Sequence, residues 1–175
     1  MKISSLAVAV FVVSTLLLAT PIVRAQTEPL NFVAPLSGGQ EVPARDTQGR
    51  GLAKFQISPD GTMIHFRLIV ANIENVIASH IHIGPAGVNG PVVLFLYGPA
   101  PAGGGRTDGV LSKGAATASN LVGPLAGHPL SDLVDAMMNG NAYVNVHTDD
   151  NVAPVNTGPG DFPGGEIRGQ IFLAD

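Results

Sequence analysis

The chain has 175 residues and carries 13 Asp and Glu against nine Lys and Arg, a formal net charge of −4 with histidine neutral. That acidic balance, with no basic stripe, repels phosphate backbones and argues against nucleic-acid binding. The absence of cysteine excludes disulfides, thiolate metal sites and cysteine nucleophiles together, so the fold must rest on its packed core.

The first 25 residues read as an export signal. Lys2 supplies the positive start, residues 3–18 are mostly apolar, and Val23-Arg24-Ala25 offers small residues at a cleavage spacing. The apolar core is short for a spanning helix, and no later run is long enough, so no membrane span is expected after cleavage. The expected home is outside the cell, or in a periplasm or cell envelope. A mature chain over residues 26–175 suits one domain. It loses two of the nine basic residues and no acid, which takes its formal charge to −6.

With 22 Gly and 14 Pro and few helix-forming stretches, the remainder reads as short strands joined by turns. Strands are expected over 31–36, 51–58 and 63–73, the last two forming a hairpin across Pro59-Asp60-Gly61-Thr62. A fourth follows over 77–83. Residues 92–97 are continuously apolar, as in a strand buried on both faces. Residues 109–118 give a weaker strand, and 141–147 and 166–173 the last two. One helix is expected over 131–138, with Ser131 as its cap, Asp132 in its first turn and Asn139-Gly140 at its end. About eight strands and one short helix predict an all-β, antiparallel Greek-key sandwich or barrel.

Chemistry concentrates on one motif. In Ser79-His80-Ile81-His82-Ile83-Gly84-Pro85 the alternation is that of a strand, so His80 and His82 share a face, with origins roughly 6.5–7 Å apart. His147, in the strand Tyr143-Val144-Asn145-Val146-His147, offers a third imidazole. Three neutral imidazoles suit copper, zinc or nickel, and an open fourth position would be needed for chemistry. The competing reading is structural: ring N–H groups bonded to loop carbonyls would fasten the 84–90 turn and the 148–165 loop.

The other polar residues read more plainly. His65 faces solvent, and His128 precedes Pro129 in a loop and takes no role. Glu166 and Arg168 share a strand face and anchor a loop or form a salt bridge, in preference to Arg168 attracting an anion. Asp149 and Asp150 form a solvated acidic turn, with acceptance from a ligating imidazole or loose Ca²⁺ binding as alternatives. Neither a nucleophile elbow, a phosphate loop nor a zinc-protease helix is present.

Four blocks of this sequence resemble the CHRD family, whose domain was first described in chordin. They are residues 79–93, 140–148 and 165–171, and Leu36-Ser37-Gly38-Gly39-Gln40-Glu41-Val42-Pro43. The resemblance implies an extracellular β-sandwich. In chordin such domains accompany growth-factor binding, but the Cys-rich modules that go with them there are missing here. A fainter resemblance, to copper/zinc superoxide dismutases, rests on His80, His82, His147 and Arg168 occurring in that order. It implies kinship of scaffold and copper site. Dismutase activity is not expected, because the zinc-holding loop and the cysteine pair have no counterpart. Two functions are therefore carried forward. The first is a secreted, non-catalytic CHRD-type binding or structural module with an extracellular partner that the sequence does not name. The alternative is a copper or zinc protein built on His80, His82 and His147.

Overall fold

In the computed structural model, residues 29–174 are described, and the export signal read over residues 1–25 lies outside them. Nine strands form there: β1 (Asn31–Ser37), β2 (Arg50–Ile57), β3 (Ile64–Glu74), β4 (Val76–Ile83), β5 (Val92–Tyr97), β6 (Arg106–Ala116), β7 (Ala142–Thr148), β8 (Ile167–Gln170) and β9 (Phe172–Leu173). All pairings are antiparallel, in the order β5-β4-β7-β8-β1-β2-β3-β6, and the short β9 pairs back on β1. The edge strands β5 and β6 approach one another, so the sheet is a nearly closed eight-strand barrel with one short helix. Between sandwich and barrel, the barrel is what forms. The local order β7-β4-β5, continued to β6, is that of a Greek key.

Alternation drives the pairing. In β2 and β3, Ala53, Phe55, Ile57, Ile64, Leu68 and Val70 fill the barrel, while Lys54, Gln56, His65 and Arg67 face water. Their register is unbroken from Arg50 opposite Ala71 to Ile57 opposite Ile64. The predicted hairpin is present. Phe32, Leu36, Ile81, Val144, Val146 and Ile167 complete the core from the other strands.

Three local expectations are corrected. The apolar run of β5 is not buried on both faces, since Phe95 is 49% exposed while Val93, Leu94 and Leu96 are buried. β5 is an edge strand with two register shifts against β4, so its outer face stays uncovered. The helix, α1 (Leu130–Met138), starts at Pro129 rather than being capped by Ser131. Proline fixes φ at −67° there, and Ser131 falls one residue inside the helix. The single strand read over 166–173 divides into β8 and β9, because the backbone at Ile171 bonds Ala142 and the chain then crosses to β1. Asp132 does lie in the first turn of α1, and Asn139 closes it by donating Nδ2–H to Asp135 O. Leu130, Leu133 and Met137 pack the helix onto one end of the barrel.

β4, β7 and β8 make a wall that is polar on its outer side. Their inward residues join the core, and His80, His82, Tyr143, Asn145 and Arg168 alternate to the outside. The segments 38–49, 84–91 and 149–165 roof this face, and as a result β7 is buried along almost its whole length.

Candidate metal centre

Strand register brings the three histidines together. His80 stands opposite Asn145, His82 opposite Tyr143, and Ala78 opposite His147, so His147 is the diagonal neighbour of His80. The ring centroids are 5.6 Å apart for His80 and His82, 4.9 Å for His80 and His147, and 6.3 Å for His82 and His147. One ring nitrogen from each lies within 4.8 Å of the others. The pair predicted from parity is therefore present, joined by the third ring that the 143–147 strand offered.

The hydrogen bonds fix the tautomers. His82 Nδ1–H donates to Gly90 O at 2.8 Å, and His147 Nδ1–H donates to Pro163 O at 2.8 Å. Each ring then presents Nε2 as a lone pair. His80 Nδ1 lies 3.1 Å from His147 Nε2, so the His80 proton is the one that bridges the pair. His82 Nε2 is buried and meets no donor at good hydrogen-bond geometry, although the Asn145 side chain comes near enough to pull the ring's pKa upward against burial. Burial, together with the His147 and His82 rings nearby, holds the His80 pKa down at about 4. Burial lowers His82 and His147 as well. All three are neutral at pH 7, the state in which imidazole ligates.

Around this cluster the wall is tightly fastened. The Tyr143 ring stacks on His82 with centroids 4.8 Å apart and interplanar angle 10°, and Arg168 Cζ lies 3.4 Å from the Tyr143 centroid. Gly90 N–H donates to Tyr143 Oη at 3.0 Å. Gly90 admits no side chain, because a Cβ there would collide with Ile83 O. Phe95 meets the His80 ring edge-on, with centroids 4.7 Å apart.

Arg168 is 1% exposed and donates to Asn89 Oδ1, Pro85 O and Val88 O at 3.0–3.2 Å. It anchors the 84–91 loop, and its guanidinium is not presented to an anion. Glu166 is fully buried and accepts from Thr47 Oγ1, Thr148 Oγ1 and Gly160 N–H, tying two roofing segments to the wall. The loop-anchor reading holds for both, without a salt bridge between them. Asp149 and Asp150 accept from Asn151 N–H and Val152 N–H as an acidic turn does, and Pro163 O takes the proton of His147 in their stead. His65 is exposed as expected, and His128 pairs with Asp132 at 2.8 Å on the surface.

Sequence reasoning passed over Tyr143, Asn145 and Glu41. Residues 143 and 145 share the parity of His147, a signal that was available. Glu41 had none. It comes from the 38–49 segment to a buried position where Oε1 meets no donor, and burial pushes its pKa up to about 7 against the pull of Arg168 and Arg45.

Fold and site together define a disulfide-free antiparallel barrel with a polar, histidine-bearing outer wall roofed by loops. The model of the CHRD domain matches the chain over residues 32–171, and the protein belongs to the CHRD domain family. No curated protein matches the chain.

Proposed function

We propose that this CHRD domain is an exported, non-catalytic module that binds one late first-row ion, Cu(II) or Zn(II), through His80, His82 and His147. The observation that carries this reading is His82 Nε2. A purely structural histidine would have both ring nitrogens satisfied, and a buried one left unpaired costs about 1–3 kcal/mol. Here the Nδ1–H bond to Gly90 O aims a lone pair into a space shared with two more neutral imidazoles. Carbonyl acceptors behind His82 and His147 are the arrangement that orients ligating imidazoles.

The donor set fits the ion. Two nitrogens about 2.05 Å from one metal at an angle of about 100° are about 3.1 Å apart, and His80 Nδ1 and His147 Nε2 are separated by 3.1 Å. The widest spacing a shared ion permits is about 4.1 Å, and the three nitrogens all lie within 4.8 Å of one another, so loading asks for a small closure at most. The ion would take the place of the proton between His80 and His147, with that proton moving to His80 Nε2 so that the ring stays neutral. Three neutral nitrogens without carboxylate or thiolate favour Cu(II) or Zn(II) over Mg²⁺ or Ca²⁺.

The purified protein, loaded with Cu(II) or Zn(II) and desalted at neutral pH, is expected to retain one equivalent, and His82→Ala to retain none. Wild-type protein that keeps no metal, or a variant that keeps as much, would leave only the binding-module reading, with the histidines as loop fasteners.

A further inference from the structure

The loop that roofs the histidines carries a second group of potential ligands, all oxygen. Asp149, Asp150 and Asp161 each place a carboxylate oxygen within 4.8 Å of the other two. Asp149 and Asp150 open the 149–165 loop, and Asp161 lies near its end. Among the described residues the one Lys or Arg ion pair is Arg106–Asp108, so no Lys or Arg neutralises this trio. Carboxylates so close repel unless a cation or protons intervene.

Asp161 supplies a separate observation. It is 2% exposed, and its Oδ2 accepts from Thr157 N–H and Thr157 Oγ1 at 2.8 and 2.9 Å. Its Oδ1 is sealed from solvent and meets no donor at all. An acceptor oxygen buried in that way carries the full cost of its lost hydration. Thr157 serves Oδ2, and the two other aspartates in the group, as carboxylates, can only accept. A cation satisfies all three.

We propose that Asp149, Asp150 and Asp161 bind a hard divalent cation, Ca²⁺, which clamps the two ends of the 149–165 loop. Ligand type selects the ion. A set of carboxylate oxygens without imidazole or thiolate suits a hard cation, and Ca²⁺, which takes about 6–8 oxygens in flexible geometry, is held by a loop more readily than octahedral Mg²⁺. The three carboxylates lie within 4.8 Å of one another, which oxygens around one Ca²⁺ can span. Oxygen ligands also keep this site chemically apart from the imidazole cluster.

The test uses the full chain, stripped with chelator and desalted, then titrated with CaCl₂ by calorimetry and followed by thermal unfolding, with MgCl₂ and NaCl at matched ionic strength alongside. Saturable binding of one Ca²⁺ and a rise in Tm that NaCl does not reproduce are expected, together with slower amide exchange over residues 149–165. Asp150→Asn, at a half-buried position, should weaken Ca²⁺ at least tenfold, and Asp161→Asn should do the same if it folds. His82→Ala should bind Ca²⁺ as the wild type does, which separates this site from the histidine reading. No saturable heat, a Tm rise equalled by NaCl, or unchanged affinity in Asp150→Asn would overturn the proposal.

Discussion

At His82, Tyr143 covers a ring face, Gly90 O holds Nδ1–H, and the buried Nε2 makes no hydrogen bond of good geometry. Its neighbours set a pH dependence that can be signed. Burial and the adjoining imidazoles depress His80 from its ordinary 6.5 to about 4, and burial lowers His82 and His147. Below pH 6.5 the unfolded chain takes up protons that the folded one refuses, so this contribution to stability is complete above 6.5 and lost as pH falls toward 4. Glu41 acts in the opposite sense. Its folded pKa near 7 exceeds the ordinary 4.5, so its contribution is present below 4.5 and lost as pH rises through 7. Comparing metal-free wild type with His80→Asn cancels the Glu41 term. The urea midpoint of the variant should fall less than that of the wild type between pH 7.5 and 5. An equal fall would show that His80 is solvated. Strand parity put His80 and His82 on one face from the sequence and a second strand offered His147, but the β4–β7 register that joins the three was not legible. Glu41 was not legible, because a loop's path over a sheet leaves no periodic trace.

At the scale of elements, the roof is held by two buried residues on one side of β8. Arg168 binds the 84–91 loop through three acceptors and lies over Tyr143, and Glu166 binds Thr47, Thr148 and Gly160. A lysine at 168 keeps the charge but has neither the planar fork nor the reach for these acceptors. We expect Arg168→Lys to destabilise the fold by about 2–4 kcal/mol in urea unfolding and to weaken metal retention by freeing Gly90. A near-neutral change would mean that the loop is held elsewhere. Hairpin β2–β3 was readable because its alternation and turn agree. The outward turn of Phe95 was not, since bulges and edge position are decided by pairing with β4 and leave an apolar run unchanged. Ser131 misled for a related reason: both it and Pro129 suit a helix start, and the rigid ring took the boundary.

For the whole molecule, a nearly closed barrel without disulfides depends on its core and on whatever fastens the roof. An ion bound only by the folded chain adds stability by mass action, about 4 kcal/mol at a thousandfold excess over Kd. That corresponds to roughly 10–15 °C in Tm for a domain of this size, and it should vanish in His82→Ala. Strand count, antiparallel pairing and one short helix were legible in the turn spacing. Closure was not, because the meeting of β5 and β6 depends on accumulated twist. The most direct measurement is anomalous diffraction at the zinc edge from crystals grown with Zn(II). We expect one strong peak on the outer wall, about 2.0–2.1 Å from a ring nitrogen of each of His80, His82 and His147. A map with no peak between these rings, or with zinc held only at surface carboxylates or His128, would contradict the assignment.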